Sequence, residues 1–309
     1  MYPFFYNLLL IIIGVALLTK GADWLIGGSA GIAKRYGVSS MIVGLTLVAF
    51  GTSAPELAAS LASALHGKGD IAFGNVVGSN ICNIGLILGT TALLKPIPVS
   101  RNTIKWEIPF MIIASALLYL FAWHLRIERW MGIIFLGGFL VFVLYCTKNA
   151  KKPGFDPPAI KESLVKMLIL ILVGGTGLAV GAEIFLRGVV NIARILGISE
   201  AVISLTLVAL GTSLPELSAS LMATWKGESS IALGNVIGSN IFNILLVAGM
   251  TASISPFQIS RDFLLIGLPA MILVSLAIVP FSWFGKGINR IEGVVLVLFY
   301  FGYVAWLFL

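Results

Sequence analysis

The chain has 309 residues, of which 59% are hydrophobic and 11% charged. Soluble domains carry about 25% charged residues, so this composition excludes one or two ordinary soluble domains and describes a chain built for a bilayer. The formal net charge of +7 is spread over short loops between apolar segments, a pattern that fits membrane topology and not a nucleic-acid-binding face.

Ten helical spans are predicted in chain order. The first half contributes Phe4–Ile26, Val38–Leu65, Ile71–Leu94, Trp106–Leu125 and Trp130–Thr147. The leading part of the first, Phe4–Leu18, has no basic region before it and no clear small-residue cleavage site, so it reads as a retained span. The charged, proline-containing stretch Lys148–Ser163 follows as the one substantial linker. The second half contributes Leu164–Leu186, Val202–Trp225, Ile231–Ser253, Phe263–Ile278 and Ile291–Phe308. Cys82 and Cys146 are the only cysteines, too few and too separate for a disulfide framework or a thiolate metal cluster.

The second and third spans carry TLVAFGTSAPELAAS (Thr46–Ser60) and GNVVGSNICNIGLILG (Gly74–Gly89). Displaced by 160 residues, the seventh and eighth carry TLVALGTSLPELSAS (Thr206–Ser220) and GNVIGSNIFNILLVAG (Gly234–Gly249). The match extends upstream: Gly21-Ala22-Asp23 with Gly181-Ala182-Glu183, Gly28 with Gly188, and Gly37 and Ser39 with Gly197 and Ser199. Residues 1–147 and 164–309 are therefore expected to be homologous repeats of five spans each, separated by 148–163. An odd number of spans makes consecutive repeats enter the membrane in opposite senses. The expected fold is an all-α polytopic membrane protein, ten transmembrane helices in two inverted five-helix repeats.

Loop charge selects an orientation. With the N-terminus outside, Lys34/Arg35, Lys95/Arg101/Lys105, Lys148/Lys151/Lys152/Lys161, Lys226 and Lys286/Arg290 fall inside. Lys68, Arg126/Arg129, Arg187/Arg194 and Arg261 remain outside. The positive-inside bias places both termini on the extracellular side of a cell membrane.

Each repeat places one glutamate, Glu56 or Glu216, deep in a span. An ionisable group at that depth costs at least about 2.5 kcal/mol unless it is compensated, so it points to function. Thr52 and Glu56 share a helix face with Ser53 beside them, and Thr212, Ser213 and Glu216 repeat the arrangement. Ser79 and Asn83, like Ser239 and Asn243, stand four residues apart in the following span. Together these segments supply carboxylate, hydroxyl and amide oxygens, hard donors suited to Ca²⁺ and also to Na⁺. Pro55 and Pro215 leave the carbonyls of Gly51 and Gly211 without their helical donors, which allows kinks that turn backbone oxygens toward an ion. Asn83 and Asn243 equally suit a helix-packing amide, and Gly74/Gly78 and Gly234/Gly238 suit close helix approach.

Asp23 and Glu183, near Lys20 and Arg187, read either as interfacial ion pairs or as part of an ion pathway. Intramembrane hydrolysis is disfavoured: Ser53 and Thr52 have a carboxylate nearby, but no histidine or lysine base accompanies the motif. The chain is not expected to be an enzyme, and no cofactor, nucleic acid or obligatory protein partner is implied.

In GTSxPE and GNxxGSNIxN, present in both halves, the chain resembles the sodium/calcium exchanger family of cation/calcium antiporters, especially its compact prokaryotic members. The resemblance implies a binding core formed by spans 2, 3, 7 and 8, with spans 1 and 6 sliding across it during alternating access. It implies Glu56 and Glu216 as the central calcium carboxylates, flanked by Thr52, Ser53, Thr212 and Ser213. Backbone oxygens of Ala49 and Ala209, and the side chains of Ser79, Ser239 and Asn83, fall at neighbouring ion positions of the family. Asn243 departs from the pattern, standing where such exchangers often have an aspartate.

The expected function is secondary active exchange of Ca²⁺ for Na⁺. A Ca²⁺/H⁺ exchanger using the same two glutamates is the alternative, since carboxylates in a low-dielectric site can take up protons when calcium leaves. A cation channel or a nontransporting scaffold would use the same helix-packing glycines.

Overall fold

A computed structural model of the chain describes residues 2–150, 163–198, 209–285 and 287–307. The first half contains α1 (Tyr2–Tyr36), α2 (Ser40–Leu65), α3 (Gly69–Leu94), α4 (Thr103–Ala122) and α5 (Arg129–Lys148). The second contains α6 (Leu164–Ile195), α7 (Ala209–Thr212 and Leu214–Trp225), α8 (Ser229–Ile254), α9 (Phe263–Trp283) and α10 (Arg290–Trp306). Eight of these are long and apolar enough to cross a bilayer by those criteria alone. The other two are α7, whose expected first residues lie among 199–208 outside the described residues, and α10, which has 17 residues. Most of the expected linker, 151–162, also lies outside the described residues.

The first and sixth spans run well past their expected ends at Ile26 and Leu186, reaching Tyr36 and Ile195. Apolar runs mark the hydrocarbon thickness, and nothing in Gly27–Arg35 or Arg187–Arg194 breaks a helix. At 35 residues α1 rises about 52 Å, against about 30 Å of hydrocarbon. Turns end α1 and α6 at Gly37 (φ +63°) and Gly197 (φ +77°). Matching turns follow α2 and α7 at Gly67 (φ +72°) and Gly227 (φ +78°). These left-handed backbones favour glycine and recur at the repeat interval.

Four two-residue strands make the inversion visible. β1 (Ile97–Pro98) pairs antiparallel with β4 (Gly287–Ile288), and β2 (Arg126–Ile127) with β3 (Phe257–Gln258). Each pair joins the loop after a third span to the loop between the last two spans of the opposite repeat. Other contacts at the helix ends and loops separate in the same way. Lys34 meets Glu228 at 3.1 Å and Ser39 N donates to Ala150 O at 2.9 Å on one face of the bundle. Asn191 meets Asn7 at 3.1 Å and Ser260 N donates to Asp70 Oδ1 at 2.6 Å on the other. The loops expected inside therefore meet one another, as do the loops expected outside.

Burial ranks the helices. In the most apolar stretch of each, 94% of α8 and 78% of α3 is buried, against 33% of α1 and 22% of α6. The first two are central, and the latter two lie side by side at the periphery. They cross through paired glycines. A Cβ on Gly174 would stand 2.5 Å from the Leu25 nitrogen, and one on Gly181 2.9 Å from the Leu18 nitrogen. Within the core, Gly44 of α2 packs against Ile231 and Gly234 of α8. Lipid tails are as apolar as leucine, so close backbone approach, not water exclusion, drives such contacts.

Candidate functional site

Pro55 lies inside α2, and Pro215 near the start of the second piece of α7. The two helices accommodate their missing amide hydrogens differently. The first repeat remains helical through Ser53, whereas α7 is interrupted at Ser213, with φ −90° and ψ 6°. Wider, π-helical turns follow at Asn83–Leu88 in α3 and Phe242–Ala248 in α8, so Asn83 and Asn243 both sit in irregular helix. Such turns inside α-helices are frequent at functional sites.

These irregular segments converge. Ser53 Oγ donates to Glu216 Oε1 at 3.1 Å, joining α2 to α7. Glu56 and Glu216 are 1% and 0% exposed. Thr52 Oγ1 reaches α8, where it donates to Asn235 Oδ1 at 3.2 Å and stands 3.5 Å from Ser239 Oγ. The same hydroxyl lies 3.3 Å from the Ala49 carbonyl oxygen. Asn83 Nδ2 donates to Asn240 Oδ1 at 3.0 Å, and Asn243 Nδ2 donates to Asn80 Oδ1 at 3.3 Å.

Seven buried oxygens of these motifs receive no hydroxyl or amide hydrogen bond from the protein: both of Glu56, Oε2 of Glu216, Oγ of Ser79 and Ser213, and Oδ1 of Asn83 and Asn243. Unsatisfied buried polar atoms are rare and costly. Oxygens of this kind, with two carboxyl groups among them, are the donors that a hard cation takes. Among the described residues, no group of three or more His, Cys, Asp or Glu forms a softer metal centre.

Of the other expected residues, Ser79 is buried one turn before Asn83, while Thr212 is half-buried at the end of the first piece of α7. Ala209 begins that piece; only its backbone is described. Asp23 and Glu183 engage in ion pairs, Asp23 with Lys226 and Glu183 with Arg187 at 2.6 Å. The partner of Asp23 is thus Lys226, just past the end of α7, not its neighbour Lys20.

A supporting layer of amides lies behind the two acids. Asn75 Nδ2 donates to the Glu56 carbonyl at 3.1 Å and to Ser60 Oγ at 2.8 Å. Its counterpart Asn235 donates to the Glu216 carbonyl at 3.4 Å and to Ser220 Oγ at 3.0 Å. These amides fasten the carbonyl of each acidic residue to the next helix. Their signal was present, as the second letter of GNVVGSN and GNVIGSN.

A ten-helix inverted repeat with paired acids among discontinuous helices at its centre defines the secondary-transporter class of membrane protein. The family described as sodium/calcium exchanger protein matches residues 6–148 and 166–309, and the chain belongs to it. CaxA of Alkalimonas amylolytica, a candidate antiporter, is 40% identical over 96% of this chain and 97% of its own length. The sodium/calcium exchanger MaX1 of Methanosarcina acetivorans is 33% identical over 98% of both chains. The solved structure of the sodium-calcium exchanger NCX_Mj soaked with 10 mM Na⁺ and zero Ca²⁺ superposes with a TM-score of 0.88. It is 32% identical and covers 98% of this chain and 99% of that one.

Proposed function

We propose that the chain exchanges Ca²⁺ for Na⁺ across a cell membrane by alternating access. The observation that carries this reading is the cluster of donor-less oxygens around Glu56 and Glu216 at the meeting point of two inverted repeats. Two carboxylates match the charge of one Ca²⁺. Thr52, Ser53, Thr212, Ser213, Ser79, Ser239, Asn83 and Asn243, with the backbone oxygens of Ala49 and Ala209, complete the oxygen donor set for Ca²⁺ and Na⁺. Closing the site without an ion would desolvate two like charges, which favours exchange over uniport.

The repeats are assigned to 1–147 and 164–309 with a cytoplasmic linker at 148–163, and both termini to the outside, from the loop charges. Asn243 supports a second reading, proton coupling. Its amide supplies an oxygen but not the third negative charge that the family often places there.

The test is radiolabelled Ca²⁺ uptake by the full chain in sealed liposomes. Uptake that requires an exchangeable cation on the opposite side supports antiport. Sustained Ca²⁺ flux with none present refutes it and indicates a channel.

A further inference from the structure

Asn80 and Asn240 carry no role in the exchange described above, yet both are essentially unexposed in the middle of α3 and α8. Their hydrogen bonds define which way neighbouring amides point. Asn240 Nδ2 lies 3.4 Å from the Asn80 carbonyl oxygen and 3.7 Å from Met111 Sδ, two groups that only accept. Its Oδ1 must then be the atom that meets Asn83, so Asn83 must offer Nδ2 and leave its own Oδ1 free. The mirrored chain starts at Met271 Sδ, which accepts from Asn80 Nδ2 at 3.5 Å. Asn80 Oδ1 therefore receives Asn243 Nδ2, and Asn243 Oδ1 is left without a donor.

Both chains cross from one repeat to the other and end on an amide oxygen of the candidate cation site. A residue that merely packed would not need this sequence of donors and acceptors, nor its repetition about the pseudo-twofold axis.

We propose that Asn80 and Asn240 are positioning residues of the cation site, each holding the side-chain amide of the opposite repeat so that the oxygens of Asn243 and Asn83 face the ion. The proposal rests on the cation-exchange reading. It extends that reading by making each repeat responsible for the orientation of a ligand carried by the other.

A double-mutant cycle tests it, with Ca²⁺ dissociation constants measured by calorimetry on the purified full chain. Wild type, Asn240→Ala, Asn83→Ala and the double variant form one cycle; Asn80→Ala and Asn243→Ala form the mirrored one. If Asn240 acts through Asn83, each single change weakens Ca²⁺ about tenfold, and the double variant is within about twofold of the weaker single. Asn240→Leu, which fills the volume without a polar atom, should behave as Asn240→Ala does and serves where the alanine variant does not fold. Losses that multiply to about a hundredfold, or unchanged affinity in the folded Asn240 variants, overturn the proposal. Wild-type protein that binds no Ca²⁺ is a different result: it defeats the exchange reading, and the proposal with it.

Discussion

Two facing carboxylates inside a bilayer are tolerated only if something compensates them, and at this site the protein supplies few donors. Ser53 donates to one oxygen of Glu216, while neither oxygen of Glu56 receives a hydroxyl or amide hydrogen bond. Glutamine retains the shape and one oxygen but removes the charge. Glu56→Gln and Glu216→Gln are each expected to weaken Ca²⁺ binding at least about tenfold and to reduce exchange in proportion, since a divalent ion loses half its charge compensation. Calorimetry and flux on folded variants check this; wild-type affinity in either would remove that glutamate from the site. At this scale the acids were legible because a charge in an apolar run is conspicuous. The roles of Asn75, Asn80, Asn235 and Asn240 were not, because the letter N does not say whether an amide faces an ion, a carbonyl or another amide.

Among the elements, the helices were legible from apolar length, and their irregularities only in part. Proline marked Pro55 and Pro215, but the shared GTSxPE pattern gave continuous helix in one repeat and a break at Ser213 in the other. The extension of α1 to Tyr36 was hidden because hydropathy registers where the lipid ends, not where the helix does. Glycine spacing was a mixed guide: Gly234 and Gly238 of α8 meet the backbone of α2, whereas Gly78 of α3 has no atom within 4 Å of an added Cβ. Gly174→Ala places a methyl against the backbone of α1, while Gly302 of α10 has no atom within 4 Å of an added Cβ. The first substitution is expected to lower the thermal transition by several degrees and slow exchange, and Gly302→Ala to do neither. Equal behaviour of the two variants in melting and flux assays would contradict the assigned α1–α6 packing.

For the whole molecule, the inverted repeat followed from counting: two homologous halves of five spans cannot share an orientation. The structure adds the physical link, in that β1 pairs with β4 and β2 with β3, tying each repeat to the other at both membrane faces. These short pairings were illegible in sequence because two residues carry no strand pattern. Absolute orientation is testable with single cysteines, since native Cys82 and Cys146 are buried. In intact cells Lys68→Cys should react with an impermeant thiol reagent and Lys95→Cys only after permeabilisation; the reverse pattern would place both termini inside. Coupling of Ca²⁺ movement to Na⁺ is tested by Ca²⁺ flux in sealed liposomes with Na⁺, K⁺ and H⁺ gradients imposed one at a time under controlled voltage. An opposing Na⁺ gradient is expected to drive Ca²⁺ transport with the proton gradient clamped, and that component is expected to disappear in Glu56→Gln. Ca²⁺ flux driven by H⁺ with no Na⁺-driven component would contradict it and select proton exchange.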